Sequence, residues 1–188
     1  MAAVSLPLLL LLTSSFLLFS FTLTVSISAD NENSTDVQLI RDVCKKTTDP
    51  DFCFALLSTN PNSKGKDFHD LTALSINSAN ERGVAVRAYI GYLGNNTGEP
   101  VMKGILEECY GDYDDGVVKG TAGALDAFAE SEYGSAVLRL SGSVSATLDC
   151  DKAFESGSRE NVLKDLNGTV MRYLIVAGDL INAFRKNK

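Results

Sequence analysis

The sequence predicts an all-α protein: an antiparallel up-down-up-down four-helix bundle, preceded by a small helical hairpin and closed by two disulfides. Three observations carry this. Apolar residues recur at threes and fours in four long runs, the spacing of one helix face. Turn-forming residues separate those runs at short intervals, and short connections favour antiparallel neighbours. Four cysteines, at 44, 53, 109 and 150, follow an apolar N-terminal segment, and an even count in an exported chain points to a disulfide framework.

That segment comes first in the chain. Residues 1–29 hold no charged side chain, are leucine-rich over 6–12, stay apolar to Val25, and end on the small residues Ser26, Ser28 and Ala29. This is the pattern of a signal peptide. The Ser and Thr that interrupt the run, and the lack of a basic cluster after it, favour cleavage over an uncleaved anchor. A single domain of residues 30–188 is then expected, with the hairpin over 34–60 and the bundle over 66–186, long enough to bury one core.

The hairpin begins near the capping residues Ser34 to Asp36 and presents Val37, Leu39, Ile40 and Val43. Asp49 and Pro50 then start a second short helix, as cap and first helical residue, with Phe52, Phe54, Leu56 and Leu57 as its apolar residues. In the first long run Thr72, Ile76, Ala79, Gly83, Val86, Ile90 and Leu93 share a face, which the turn formers of 94–100 end. The second has Met102, Leu106, Cys109, Tyr113, Val117, Gly120, Ala124 and Ala127. Its glycines at 111, 116, 120 and 123 each cost up to about 1 kcal/mol of helix propensity, and close approach of a neighbour is their expected benefit. After a break at 130–132, the third run shows Val137, Leu140, Val144 and Leu148. The linker 155–158 precedes the fourth, with Leu163, Leu166, Val170, Leu174, Ala177, Ile181 and Phe184, and basic residues at its C-terminal end.

Four cysteines allow three pairings. Cys44 and Cys53 flank the Asp49-Pro50 turn, so a local bridge would close the hairpin. Cys109 and Cys150 stand at comparable heights on antiparallel neighbours either side of the 130–132 turn. Pairing 44 with 53 and 109 with 150 is the simplest choice.

Composition bounds the function. With 24 acidic and 17 basic residues the net charge is −7 and the pI about 4.7, which argues against nucleic acid or an anionic membrane as partner. Sequons at Asn33, Asn95 and Asn167 are candidate glycosylation sites on an exported chain, Asn95 foremost because it lies among turn formers. Catalysis is not expected. The chain has one histidine, His69, with no nucleophile motif beside it. Asp112, Asp114 and Asp115 lack the glycine and terminal glutamate of a calcium loop. On a regular helix Asp112 and Asp115 share a solvated face, and an acidic surface for a partner is the functional reading. No metal and no cofactor is expected, and the protein is expected to be a monomer.

Several phrases together resemble the plant invertase and pectin methylesterase inhibitor family. They are Cys44-Lys45-Lys46-Thr47-Thr48-Asp49-Pro50-Asp51-Phe52-Cys53 with Leu56-Leu57, Leu71-Thr72-Ala73-Leu74-Ser75-Ile76, and Glu108-Cys109-Tyr110-Gly111-Asp112-Tyr113-Asp114-Asp115. Tyr133-Gly134-Ser135-Ala136, Leu140-Ser141-Gly142-Ser143 and Cys150-Asp151-Lys152-Ala153-Phe154 complete the set. The resemblance implies a hairpin on a four-helix bundle, bridges 44–53 and 109–150, and a protein of the apoplast, cell wall or vacuole that non-covalently blocks the cleft of a pectin methylesterase or an acid invertase. Invertase inhibitors of this kind often carry Pro-Lys-Phe between the second and third long helices, where this chain reads Ser131-Glu132-Tyr133. Loss of the proline and reversal of the charge change which cleft the tip fits, so the resemblance favours a pectin methylesterase target, docked through the bundle's side. Ser131, Glu132, Tyr133, Asp112 and Asp115 are the candidate partner contacts. An acidic interface predicts affinity that depends on pH between 5 and 8. A secreted helical signalling ligand or a carrier of apolar ligands are the rival readings. Short turns oppose the first, and small residues along the second long helix oppose the second.

Overall fold

The computed structural model describes the backbone of residues 28–187 and the side chains of residues 36–187. The chain divides into two units, residues 1–35 and 36–188, and the side-chain contacts all lie within the second. Nearly all of the expected signal segment falls outside the described residues. No described helix is long and apolar enough to cross a membrane.

The hairpin consists of α1 (Ser28–Cys44) and α2 (Pro50–Ser58). Helix α1 starts ahead of the expected 34–36. Asp49 caps α2 by accepting a hydrogen bond from the Phe52 amide at 3.2 Å, with Pro50 at the first position. The Cys44–Cys53 disulfide closes the pair, with Cα atoms 5.5 Å apart. Ile40, Val43, Leu57 and the bridge form a small core with Leu71, Val176 and Leu180 of the bundle. Polar contacts secure the hairpin turn. Thr48 donates its amide and hydroxyl to Asp179 at 2.8 and 2.7 Å, and Arg172 grips Asp49 at 2.8–2.9 Å while lying over the Phe52 ring.

The bundle has four long members. Helix α3 spans Phe68–Asn96. The second member runs over residues 100–129 as α4 (Pro100–Gly111), a π-helical stretch (Asp112–Val118) and α5 (Lys119–Ala129). Helices α6 (Tyr133–Ser156) and α7 (Lys164–Lys186) complete it. Each long helix packs against its two neighbours in a closed antiparallel ring. Asp67 caps α3 and Glu99 caps α4. Helix α3 continues through Gly94, Asn95 and Asn96, so the expected break is confined to 97–99. Arg159 donates to both oxygens of Glu99 at 3.2 and 2.9 Å, which ties the α3–α4 and α6–α7 connections together.

The second disulfide joins Cys109 to Cys150 with Cα atoms 4.6 Å apart. Three of the four glycines of this member, Gly116, Gly120 and Gly123, face α6 as expected. A Cβ on Gly116 would overlap that of Ala146, and one on Gly120 would overlap the Ser143 hydroxyl, so α6 rides close on the middle helix. Gly111 faces open space and takes no part. Two features depart from expectation. The π-helical stretch releases backbone carbonyls, and side chains collect them: Ser143 donates to Gly116 O at 2.8 Å and Asn80 to Val118 O at 2.9 Å. Leu148, expected in the core, is exposed, while Ser143 and Thr147 are fully buried. Their hydroxyls bond to backbone carbonyls, Thr147 to Val144 O at 2.7 Å, which removes the cost of burying them.

Candidate partner-binding surface

The expected contact residues fall at two places. Ser131, Glu132 and Tyr133 form the tip between α5 and α6. Asp112 and Asp115 lie roughly 25 Å away along the helix, at 1.5 Å per residue. The structure therefore does not bring the five together.

At the tip, α5 ends in a Schellman arrangement: Ser131 N–H donates to Phe128 O at 3.0 Å and Glu132 N–H to Ala127 O at 2.8 Å. Ser131 sits in the left-handed region at φ 62°. Glu132 precedes the first turn of α6, but its carboxylate makes no capping bond and the residue is exposed. Tyr133 is half-buried. Its ring lies 5.5 Å from Phe128 and 5.6 Å from Phe184, and its hydroxyl bonds the Ser131 hydroxyl at 3.2 Å. His69 is half-buried here and stacks on Phe128 at 4.7 Å. It belongs to an aromatic platform of His69, Phe128, Tyr133 and Phe184 beneath the tip. Asp67, His69 and Asp70 come within 4.8 Å of one another, but Asp67 is occupied in capping α3 and His69 in stacking.

The second place is the side of the bundle where the middle helix meets α6. The π-helical stretch redistributes the aspartates, so Asp112 and Asp115 do not form the shared face a regular helix would give. Asp114 and Asp115 converge on Lys119 at 2.9 and 2.6 Å, and Asp114 also pairs with Arg87. Hydrogen bonds from Lys119 and Arg87 hold the Asp114 carboxyl below its ordinary pKa. Asp112 turns toward the seam, with one carboxylate oxygen buried and lacking a hydrogen-bond partner. Burial, and then the charges of Asp149 and Glu108, push its pKa up. Between them Tyr113 is buried and donates its hydroxyl to Asn167 Oδ1 at 2.7 Å. On α6 the stripe at i, i+4 and i+11 beside this seam is Leu138, Gly142 and Asp149, with Leu138 74 % exposed. The result is a broad face with carboxylates at one end, Asp115 paired with Lys119 and Asp149 with Lys152, and exposed Leu138 at the other.

The sequons also separate. Asn95 is exposed. Asn167 is fully buried, and its side-chain nitrogen donates to Asp151 at 2.5 Å. The folded bundle leaves no room for a sugar there. The side chain of Asn33 lies outside those described.

Residues 38–178 match the family described as plant invertase/pectin methylesterase inhibitor. This chain belongs to that family. Its members are enzyme inhibitors rather than enzymes. Among similar curated proteins is a putative invertase inhibitor of Platanus orientalis, 27 % identical over 143 residues, covering 73 % of this chain and 79 % of the relative. A pectinesterase inhibitor of Actinidia deliciosa is 29 % identical over 130 residues, covering 69 % and 66 %. The crystal structure of a pectin methylesterase inhibitor from Arabidopsis thaliana superposes with a TM-score of 0.58 at 14 % identity, over 83 % of this chain and 97 % of that one. A mutant form of an Arabidopsis pectin methylesterase inhibitor gives 0.62 at 17 % identity, over 80 % and 95 %. At these identities the structural likeness establishes the helical-bundle fold.

Proposed function

We propose that this protein is exported to the plant cell wall and inhibits a pectin methylesterase by laying the side of its bundle across the active-site cleft. The observation that carries the proposal is the seam between the middle helix and α6. Gly116 and Gly120 let the two helices approach closely, so their outer surfaces join into one face. Glu108, Asp112 and Asp149 gather at the seam, Asp115 stands apart from Asp112 on the middle helix beside Lys119, and Leu138 is exposed on α6. A standard interface buries roughly 800 Å² on each partner, within reach of two adjacent helices. The carboxylates suit a basic cleft and speed association at low salt. Inhibition is occlusion, so no group on the chain needs to do chemistry.

The second reading is inhibition of an acid invertase through the tip. The naming of the Platanus relative favours it, as does Tyr133 on its aromatic platform. Against it stands the uncapped carboxylate of Glu132, which presents negative charge where a lysine would sit.

Residual activity of a pectin methylesterase and of an acid invertase, each titrated with purified protein at pH 5–8, decides between the two. We expect loss of pectin methylesterase activity, weakened at least tenfold by Leu138→Asp or Asp115→Lys and little changed by Glu132→Lys. The reverse pattern selects the invertase reading. No inhibition of either enzyme refutes both, and affinity that stays flat from pH 5 to 8 refutes an interface built on carboxylates.

A further inference from the structure

A groove of about 320 Å³ opens between the last turns of α3 and the body of α4, with Ile90 and Leu106 buried at its floor. Gly91 and Gly94 leave one wall without side chains. Tyr110 supplies the other, its ring 3.3 Å from where a Cβ on Gly91 would stand. Lys103 and Glu107 line the rim. An open groove with an apolar floor, an aromatic wall and a polar rim marks a binding surface. At its mouth lies Asn95, first residue of the sequon Asn95-Asn96-Thr97. Helical side chains lean over the preceding turn, so Asn95 reaches back over Gly91, four residues earlier.

We propose that Asn95 carries an N-linked glycan and that its first sugar rings lie in this groove. The inference rests on the export reading. In the secretory route Asn95 Nδ2 attacks C1 of the reducing-end sugar of a lipid-linked diphosphate oligosaccharide. An N–C1 bond forms, the bond from C1 to the diphosphate oxygen breaks, Nδ2 loses one proton, and the lipid diphosphate departs. The attached sugars offer C–H faces to Tyr110, and hydroxyls and amides to Lys103 and Glu107. The volume lies at the lower end for small-molecule sites, matching one or two rings. The tether fixes the occupant, because the sugar is bonded to a residue of the groove itself. Among the two sequons with described side chains only Asn95 is open to modification, since Asn167 is buried.

The full chain is expressed in plant cells and recovered from the medium. Glycopeptide mass spectrometry then reads Asn95 and Asn167, and release by a peptide-N-glycosidase is timed on native and on unfolded protein. We expect Asn95 occupied, Asn167 bare, and native release at least tenfold slower than release from the unfolded chain. Tyr110→Ala should bring the native rate close to the unfolded one. Exported protein with Asn95 bare overturns the modification. An occupied Asn95 with equal native and unfolded release rates overturns the seating in the groove. A chain that stays in the cell without sugar overturns the export reading on which the inference rests.

Discussion

Gly111 and Gly116 lie five residues apart on the same helical member, and replacing each by Ala separates two opposing effects. Ala gains up to about 1 kcal/mol over Gly in a helix interior. At Gly111 the new methyl meets nothing within 4 Å, so Gly111→Ala should raise stability by about 0.5–1 kcal/mol. At Gly116 it overlaps the Cβ of Ala146. Neither atom can rotate away, because both are fixed to helix backbones that Cys109–Cys150 and the Ser143–Gly116 hydrogen bond hold together. Overpacking of this kind costs about 1–3 kcal/mol, which outweighs the propensity gain and leaves Gly116→Ala about 1–2 kcal/mol less stable than the parent. At this chain length each kcal/mol moves the midpoint by about 2–4 °C. Thermal unfolding followed by circular dichroism at 222 nm should therefore place the two variants on opposite sides of the parent, several degrees apart. If Gly116→Ala melts at or above the parent, α6 does not ride close on the middle helix, and the joined face loses its basis.

Three further predictions concern charge, backbone and cross-links. The raised pKa of Asp112 means the native state binds its proton more tightly than the unfolded chain. Its contribution is therefore unfavourable above the folded pKa and fades as pH falls toward the unfolded value. Asp112→Asn should accordingly gain up to about 1 kcal/mol at pH 7, after allowance for the solvent that reaches the residue, with the gain vanishing near pH 4 in midpoints measured across that range. Ser158 holds the left-handed position after α6 at φ 50°, where Gly carries no Cβ penalty; Ser158→Gly should stabilise by about 0.5–1 kcal/mol in urea titrations, and a loss would contradict the assigned backbone. Replacing both Cys109 and Cys150 by Ala should cost about 4 kcal/mol by loop-closure entropy, against about 2.5 kcal/mol for Cys44 and Cys53, and equilibrium denaturation of the two double variants gives the comparison.

The helices, their order and both disulfides were legible in the sequence because apolar spacing and turn chemistry act locally. The face of α6 was misread at Leu148 because hydropathy alone favours leucine over Ser143 and Thr147. Only the structure reveals that those hydroxyls find carbonyl partners inside the seam. The acidic phrase of 112–115 was legible as charge but not as geometry. A π-helical stretch turns Asp112 inward and sends Asp114 to Lys119, and the only hint was the run of glycines and β-branched residues from 111 to 123. The tip residues were found by position, while the platform beneath them joins His69, Phe128 and Phe184 from three separate helices, a proximity that periodicity within one run cannot disclose.

The buried setting of Asn167 also bears on how long the protein lasts. Asn167-Gly168 is the chain's one Asn-Gly pair, and such asparagines are among the more labile residues of proteins. Their decay requires the side-chain carbonyl to swing against the next backbone nitrogen and close a five-membered imide. Here that carbonyl is held by the Tyr113 hydroxyl and the amide by Asp151, within a turn of α7. The ring cannot close until the helix opens, so the ageing of this dipeptide is set by the stability of the bundle rather than by the sequence.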